Sequence, residues 1–552
     1  MRKHVLYNFL ILFYIAIISI PLILPYFHEG YFPTHDGEWA VVRLADMFRE
    51  LRDHQIPARY SGNLNFGYGY PLFNFAYPFP YYIGIIFHIF KINFVDTIKL
   101  LFAISVPLSG ISMFFASKQL WGKTTAGIIS ATLFLYLPYR LVDLYVRGSI
   151  GESLAFVFFP AIFFSILKVL ETGKDKWIGF SAFFYGCLIL THNIMAVYFS
   201  LLIVFFLIGQ LVLFGPKNIV KSFFGLGFGL SLSAFFWIPA LFEKQFILLS
   251  IVPIADRTIN FVSFKQLIFP SWGFGVPGDM NGFTYQLGIP QIIAGVSVIL
   301  LLFYSFSRKK LILENKIMQR TAVLFGIFCI FSLFLFKFSS PLWKLPLLSE
   351  INYPWTLLAP LGFLLSLLAG LLSHKKYGFL LGGAVCILAF IFVKPYAKPE
   401  YYVNRGDNFY ITNDATTTSS HEYMPLWVKT IPFQRSEKKV TIQKGKGTIK
   451  NVSYTSKEIN FVADLSEKSS IRIHTIYYPG WVGNITNITY NNDFGVMEFW
   501  LEKGSHVISL NFTETPIRLI SDILSLISFI FLICFFIVSV LPLRYKKILS
   551  YI

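Results

Sequence analysis

Long apolar runs alternate with short polar connections along most of the chain. Twelve of these runs are about 20 residues long, enough for a helix to cross a hydrocarbon core of roughly 30 Å. They cover residues 5–27, 94–117, 122–140, 153–170, 177–192, 194–214, 221–241, 288–307, 321–338, 353–373, 377–394 and 518–541. The pattern predicts an α-helical polytopic membrane protein with about twelve transmembrane helices.

Lysine and arginine mark alternate connections between these runs. Cytoplasmic connections are enriched in both residues, and twelve crossings place every basic cluster and both termini in the cytoplasm. The clusters are Arg2 and Lys3; Lys118 and Lys123; Lys168, Lys174 and Lys176; Lys217 and Lys221; Arg308, Lys309, Lys310, Lys316 and Arg320; Lys375 and Lys376; and Arg544, Lys546 and Lys547. The basic start has no small-residue cleavage pattern after it, which predicts an uncleaved signal anchor.

One more apolar run, PLFNFAYPFPYYIGIIFHIF at 71–90, breaks this parity if it crosses the membrane. Crossing would move every later basic cluster to the outside. The run also holds three prolines, which disfavour one continuous helix. We therefore predict an interfacial or re-entrant segment on the outer side.

The remaining topology places four segments outside: 28–93, 140–153, 242–287 and 395–516. The last is polar and contains short alternating runs such as EINFVADL and SIRIHTIYY, which are typical of half-buried strands. We divide the chain into a membrane module over 1–394, whose outer loop 28–93 carries surface helices, and an extracytoplasmic domain over 395–516. That domain is predicted to be a β-sandwich from about residue 437, and 517–552 is a final helix with a basic tail.

Residues 38–53 follow a helical period. The apolar positions are Val41, Leu44, Ala45, Phe48 and Leu51, and the polar positions Arg43, Asp46, Glu50 and Asp53 fall on the other side. The pattern predicts an amphipathic helix along the membrane surface. Asp36 immediately before it is a good N-cap residue.

Composition supports the membrane class and excludes others. Of 552 residues, 55% are hydrophobic and only 14% are charged, unlike a soluble protein of this size. The net charge of +18 resides in short connections and not on a folded basic surface, which argues against nucleic acid. The four cysteines all fall in apolar runs, so they indicate neither a disulfide nor a metal site.

The outer connections collect acids and arginines where charge is scarce elsewhere. His35, Asp36 and Glu38 follow the first apolar run, and the 140–153 connection supplies Arg140, Asp143, Arg147 and Glu152. Structural interpretations exist: Asp36 as an N-cap, Glu152 as a first-turn acid, and His192 as a hydrogen-bonding residue at a helix end. Ionisable groups beside a bilayer are costly, however, and are more often functional there.

Carboxylates and arginines together suit two chemistries. A carboxylate can deprotonate an acceptor hydroxyl, and an arginine can hold a lipid phosphate as it leaves. The same pairing suits a transporter that binds an anionic lipid. The residues alone leave both alternatives open.

Several ordered motifs resemble a known family. HDGEWAVVRLADMFRELRDHQIPARY, GYGYPLFNFAYPFPYY, VRGSIGESLAFVFFP, LTHNIMAVYF, SSHEYMPLWVKTIP and YYPGWVGNI closely resemble the bacterial and archaeal membrane proteins labelled 6-pyruvoyl-tetrahydropterin synthase-related. The chain is also similar to the YfhO-like group, and its layout resembles the GT-C superfamily of integral membrane glycosyltransferases. The resemblance extends over nearly the whole chain.

This resemblance implies an inverting glycosyltransferase of the plasma membrane. The donor is a polyprenyl-phosphate-linked sugar, the acceptor an envelope glycan, lipid or protein, and the chemistry is on the outer face. Asp36 matches the first-loop acid and is the expected general base, or a ligand of Mg²⁺ or Mn²⁺ in members that need one. Glu152 matches the second-loop acid, whereas Arg147 and Arg59 are candidates for the donor phosphate by their chemistry.

Two features of the sequence disagree with what these families lead us to expect. Thr356 in NYPWTLLAP stands where we expect an arginine, which weakens a phosphate-binding role for that segment. Tetrahydropterin synthase chemistry needs a zinc site built on histidines, and the ten histidines here have no such spacing. The alternatives to a glycosyltransferase are a flippase of lipid-linked glycans and a non-catalytic scaffold for envelope assembly.

Overall fold

A computed structural model describes residues 2–269, 271–276, 282–307, 316–346, 348–374 and 376–540. Helices form most of it. They are α1 (Arg2–Ile23), α2 (Gly37–Arg52), α3 (Leu72–Phe75), α4 (Phe79–Ile89), α5 (Phe94–Trp121), α6 (Thr124–Leu135), α7 (Pro138–Val142), α8 (Ile150–Thr172), α9 (Asp175–Thr191), α10 (Asn193–Phe214), α11 (Ile219–Leu232), α12 (Ala234–Glu243), α13 (Phe264–Ile268), α14 (Ile289–Ser307), α15 (Lys316–Leu333), α16 (Leu358–Ala369), α17 (Lys376–Val393), α18 (Asp407–Ile411) and α19 (Pro516–Val540). The basic tail predicted after residue 541 lies outside the described residues.

The membrane class is confirmed. Within the described ranges, eight helices are long and apolar enough to cross a bilayer, and two bent pairs raise the number to ten. The pairs are α6 with Pro138–Arg147, bent by 44°, and α11 with Ala234–Phe246, bent by 71°. The other two of the twelve predicted segments are α9 and the short apolar helix Ile289–Ser305.

The run at 71–90 is interrupted. α3 has four residues, and Pro78 precedes the 11 residues of α4. At 1.5 Å per residue, α4 is about 16 Å long, roughly half the thickness of the hydrocarbon core. It packs against α2 and α5, so this run does not form a single spanning helix.

A β region follows the helices, as predicted. Its strands are β1 (Val440–Lys444), β2 (Gly447–Tyr454), β3 (Glu458–Leu465), β4 (Ser469–Ile476), β5 (Trp481–Gly483), β6 (Val496–Leu501) and β7 (Gly504–Phe512). They form two antiparallel sheets, in the orders β1-β4-β6 and β2-β3-β7-β5. Alternate residues of β3 point inward, and Phe461 and Ile508 of one sheet share a core with Ile471 and Phe499 of the other. This shared core makes the region a β-sandwich.

The polar side of α2 is buried, which its sequence pattern does not indicate. Asp46 and Glu50 are each only 1% exposed. The chain after the membrane helices covers this side: Arg43 donates to Thr417, and Asp53 accepts from the backbone of Ser456 at 2.8 Å. The opposite side packs as predicted, with Val41 and Leu44 fully buried. Helix α2 therefore lies between the membrane helices and the part of the chain that follows them, which includes Thr417 and Ser456.

A buried ion pair ties the last helix to three other elements. Glu243 at the end of α12 accepts from Nε and Nη2 of Arg518 on α19, at 3.1 and 2.7 Å. The same carboxylate accepts from Asn74 of α3 at 2.9 Å and from Tyr478, just after β4, at 3.2 Å. Both partners of the pair are almost fully buried. One charge pair thus joins the membrane module, the β-sandwich and the final helix.

Replacing Arg518 tests this junction. Arg518→Met leaves Glu243 ionised and buried without a counter-charge, a change that costs about 3–5 kcal/mol in buried pairs. We expect a clear fall in the thermal unfolding midpoint of the detergent-solubilised protein. The double variant Glu243→Gln with Arg518→Met removes both charges and should recover most of the loss. Equal destabilisation by the single and double variants would contradict this account.

Asp46 makes the stability of the protein depend on pH. Burial raises the pKa of its carboxyl from 3.8 to about 6. Because the folded-state pKa exceeds the unfolded value, stability is lost as pH rises from about 4 through 6. Asp46→Asn should therefore raise the unfolding midpoint at pH 7.5, and the gain should vanish near pH 4.

Thermal unfolding at pH 4.5, 6.0 and 7.5 measures this dependence. Glu467→Gln is the matched control, because Glu467 is exposed and its replacement should leave the midpoint unchanged at each pH. A gain from Asp46→Asn that is the same at all three pH values would show that the charge of Asp46 is not its cause.

Candidate functional site

The start of α2 lies against the connection between α7 and α8. The backbone N–H of His35 donates to the carbonyl of Val146 at 3.0 Å, and that of Asp36 donates to Arg147 at 2.7 Å. Two outer connections that are more than 100 residues apart in sequence thus meet through backbone bonds. The sequence-predicted residues Asp36 and Arg147 are brought together by this contact.

Gly148 makes the close approach achievable. Its φ is +62°, in the left-handed region that favours glycine. A Cβ on Gly148 would lie 2.2 Å from the hydroxyl oxygen of Thr34 and 2.7 Å from the backbone nitrogen of Gly37. Any side chain here would push the start of α2 away from Arg147.

Arg147 is surrounded by groups that match its charge. Its Nη1 donates to Asp143 at 2.7 Å, to the hydroxyl of Tyr139 at 3.2 Å and to Glu152, whose other oxygen accepts from Tyr139 at 2.6 Å. The guanidinium carbon lies 4.7 Å from the ring centroid of Trp355. Asp143 and Glu152 have no exposed side-chain surface, whereas Arg147 keeps 12%. Every side-chain hydrogen bond of Arg147 to the described residues comes from Nη1, which leaves Nη2 and Nε for a ligand.

The carboxylate of Asp36 has no such match. Asp36 occupies the N-cap position of α2, but its side chain makes no capping bond, so the predicted cap is wrong for the side chain. The hydroxyl of Thr34 accepts from Gly37 instead, at 2.9 Å. Asp36 is half-buried, and within the described ranges no hydrogen bond or ion pair engages its carboxylate. The carboxylate is thus free to accept from a ligand hydroxyl.

The negative charge of Asp36 acts on two nearby tyrosines. Burial is the main cause that raises the pKa of Tyr353, and the negative charge of Asp36 is the next. Burial also raises the pKa of Tyr77, with a smaller contribution from Asp36. Both phenols therefore stay neutral at physiological pH and can donate hydrogen bonds near Asp36.

The first-loop neighbours of Asp36 point elsewhere. The Nε2 of His35 lies 3.1 Å from the carbonyl of Phe274, a contact whose donor depends on the tautomer. Glu38 accepts from Arg405 at 3.2 Å, on the side of the outer region. These residues hold the loop in place, and neither contacts the Arg147 cluster.

The partners of Arg59 lie outside the cluster around Arg147. It is buried, and it donates to Asp522 on α19 and to the carbonyl of Phe235, both at 2.6 Å. Glu514 lies 3.5 Å from its Nε. Its charge is therefore matched by Asp522 on the last helix and by Glu514 just before it, which argues against the predicted role in holding a donor phosphate.

Arg140 and His192 flank the cluster. Arg140 is fully buried, and its Nη2 donates to Ser105 at 3.3 Å. Its guanidinium lies over the ring of Phe156. Its Nε and Nη1 have no hydrogen-bond partner among the described residues. His192 accepts from the backbone of Met195 at 3.3 Å and so caps α10, as the structural interpretation predicts. Its ring stacks on Tyr77 with centroids 5.5 Å apart.

The aromatic members of the site were missed in the sequence. Trp355 belongs to NYPWTLLAP, the segment in which Thr356 replaces the expected arginine. Thr356 is buried and bonds to Tyr198 at 3.2 Å, whereas Trp355 covers Arg147. Tyr139 sits one residue before Arg140, but nothing in the local pattern shows that its hydroxyl bonds to both Glu152 and Arg147.

The balance of charge sets what the site can do. Arg147 and Arg140 balance Asp143 and Glu152 in formal charge, and Asp36 adds one unmatched acid beside them. No group of three or more histidine, cysteine, aspartate or glutamate residues in the described part of the chain could hold a metal ion. The guanidinium groups of Arg147 and Arg140 are the cationic groups of this cluster.

Replacing Gly148 tests the contact between Asp36 and Arg147. Gly148→Ala should lower the unfolding midpoint by more than the strain of a positive φ alone would lower it, because the added Cβ also collides with Thr34 and Gly37. Gly122→Ala is the matched control: Gly122 also has a positive φ, +72°, but no atom lies within 4 Å of the position that its Cβ would take. Thermal unfolding of both variants separates strain from collision, and equal losses would argue against the tight contact.

The solved structures to which the chain is similar include those of three proteins. Arabinofuranosyltransferase AftD from Mycobacteria has a TM-score of 0.46 and 15% identity, over 70% of this chain and 26% of that one. Oligosaccharyltransferase AglB from Archaeoglobus fulgidus, in complex with an inhibitory peptide and a dolichol-phosphate, has a TM-score of 0.47 and 13% identity, over 78% and 61%. ArnT from Cupriavidus metallidurans, bound to undecaprenyl phosphate, has a TM-score of 0.38 and 12% identity, over 67% and 60%.

These three proteins are GT-C glycosyltransferases, the class that the sequence resembles. The chain spans less than two thirds of each of them. A curated relative, an uncharacterized protein of Lactococcus lactis subsp. cremoris (strain MG1363), is 25% identical over 247 residues, which are 43% of this chain and 40% of that protein.

Residues 73–271 match the family described as 6-pyruvoyl-tetrahydropterin synthase related domain, membrane protein. The matched segment contains Arg147 and Glu152, whereas Asp36 precedes it. The resemblance to membrane proteins under this label, predicted from the sequence motifs, is thereby confirmed.

Proposed function

We propose that this protein is a membrane glycosyltransferase that moves a sugar from a polyprenyl-phosphate-linked donor to an envelope glycan, lipid or protein. The observation that carries the proposal is the carboxylate of Asp36. It is half-buried, has no partner among the described residues, and is attached through its backbone to Arg147. One backbone hydrogen bond thus joins the residue that bears a free carboxylate to the residue that bears the guanidinium.

The proposed reaction is a single displacement. Asp36 takes the proton of an acceptor hydroxyl as the hydroxyl oxygen forms a bond to the anomeric carbon. The bond between that carbon and the phosphate oxygen breaks, and its electron pair leaves with the polyprenyl phosphate. The configuration inverts, because the attacking oxygen and the leaving phosphate lie on opposite faces of the sugar. Solvent then removes the proton from Asp36.

Arg147 is the proposed partner of the donor phosphate. Its Nη1 is held by Asp143, Tyr139 and Glu152, which orients the guanidinium. Nη2 and Nε then remain to donate to the phosphate, and charge-assisted bonds of this kind stabilise a leaving anion. In this proposal Glu152 is a positioning residue, since it acts through Arg147 and Tyr139.

The proposed orientation places both termini in the cytoplasm, and the site and the β-sandwich outside the plasma membrane. The basic connections support this orientation. In this proposal Arg147 supplies the positive charge, so no step requires a divalent cation. The assay below compares Mg²⁺, Mn²⁺ and EDTA to test whether a cation contributes.

Removing the charge of Asp36 tests the mechanism. Proteoliposomes containing the wild type or Asp36→Asn are given radiolabelled polyprenyl-phosphate hexoses and pentoses with envelope acceptors, in Mg²⁺, Mn²⁺ or EDTA. Loss of a general base costs about 10²–10⁴-fold in turnover. We expect a loss in that range for Asp36→Asn, whereas the donor should still bind.

Glu29→Gln is the control, because Glu29 is an exposed acid in the same outer loop. Its turnover should equal that of the wild type. Equal turnover by Asp36→Asn would sink the mechanism. Movement of intact labelled lipid across the bilayer without cleavage would instead support a flippase.

A further inference from the structure

A cleft lies at the seam between the first outer loop and the β-sandwich. Its cavity volume is about 550 Å³. None of its lining residues belongs to the cluster around Asp36 and Arg147. Its lining combines aromatic rings, uncharged polar groups and charged side chains, the last being Arg435, Glu437 and Lys438.

Aromatic rings form part of the cleft. Tyr68 lies 5.9 Å from Phe494 and 5.7 Å from the ring of His474, measured between centroids. Phe433 stands on the rim with 73% of its surface exposed. A sugar ring presents C–H groups on its faces, and such faces pack on aromatic rings. An exposed phenylalanine beside an aromatic wall fits that kind of ligand.

Hydroxyl and amide groups line the cleft beside these rings. The hydroxyl of Thr441 accepts from Gln443 at 2.8 Å and lies 3.1 Å from Nε2 of His474. Burial, followed by the charges of Arg472 and Lys439, lowers the pKa of His474 to about 4, so its imidazole is neutral at physiological pH. Neutral donors and acceptors in this number suit a ligand with many hydroxyl groups.

A fixed arginine lies in the same wall. Arg435 donates from Nε to Asp414 at 3.1 Å and from Nη2 to Asn63 at 3.2 Å. Among the described residues nothing accepts from Nη1, which is therefore oriented and available. Because its side chain is already ordered, a ligand that accepts from Nη1 pays little conformational entropy.

Two connections hold the seam together. The backbone of Ile476 donates to Tyr68 at 2.9 Å, and Nζ of Lys439 donates to Gly67 at 2.7 Å and to His474 at 3.1 Å. The loop and strands β1 and β4 therefore form one preorganised surface. Tyr68 is the lining residue that belongs to the loop carrying Asp36, and the other lining residues lie between Pro432 and Phe494.

We propose that this cleft binds a hydroxyl-rich oligosaccharide, as a second contact with the acceptor glycan beyond the reacting sugar. Phe433 packs on a sugar face, and Gln434, Gln443 and Arg435 bond to hydroxyl groups. Only the identification of this glycan as the acceptor rests on the proposed function; binding itself does not.

Binding to defined oligosaccharides tests the cleft. The full chain in nanodiscs is titrated with maltohexaose, chitohexaose and hexagalacturonate, without any donor lipid. We expect at least one of them to bind, and Phe433→Ala and Gln443→Ala each to weaken that binding about tenfold, a loss of about 1.4 kcal/mol. Both side chains are exposed, so neither variant should unfold the protein.

Val507→Ala is the control, since Val507 is 70% exposed on β7 and does not line the cleft. It should bind as the wild type does. Absence of binding to all three probes, or equal binding by Phe433→Ala and Gln443→Ala, overturns the inference. Glycan binding without any sugar transfer would contradict the proposed function and support the glycan-binding cleft. Sugar transfer without glycan binding would support the proposed function and contradict the glycan-binding cleft.

Discussion

A buried charge next to a bilayer must be matched by an opposite charge or by hydrogen bonds, and this constraint organises the molecule. The pair of Glu243 and Arg518 meets it where four elements join. Arg59 meets it through Asp522 and Glu514, and Arg147 through Asp143 and Glu152. The ion pairs of Arg518 and Arg59 connect segments that are distant in sequence, and those of Arg147 hold the bent pair of helices that ends at this residue. The same ion pairs that remove the cost of buried charge therefore also set the positions of the helices.

The last helix shows how far this coupling extends. Arg59 and Arg518 attach α19 to the first outer loop and to α12, while Tyr478 brings in the β-sandwich. The outer region in turn covers the charged side of α2 through Thr417 and Ser456. Helix α2 is held from both sides, and its first residue is Gly37, next to Asp36. The position of one carboxylate thus depends on contacts made by the end of the chain.

Periodicity was enough to predict the helices and strands, because it reports which face of each element is buried. It could not show what buries that face. The apolar side of α2 packs as predicted, but Asp46 and Glu50 are covered by a segment some 370 to 410 residues later, which no local pattern reveals. Arg59 was assigned a ligand for the same reason, since its partners lie on the last helix. Asp36, Arg147 and Glu152 were found from charge at the ends of apolar runs, whereas Trp355 and Tyr139 carry no charge to mark them.

Asp36 is set apart by what it lacks. Asp143 and Glu152 are completely buried and matched, and Glu50 is buried but accepts from Gly62 and Gln55. Thr34 takes over the capping bond that an aspartate at the start of a helix would ordinarily make. A cap usually contributes about 1 kcal/mol, so leaving this one unmade forgoes stability that the fold could have had. Asp143, Glu152 and Glu50 are engaged by donors, whereas the carboxylate of Asp36 is both partly exposed and free, and this combination favours a functional explanation over packing.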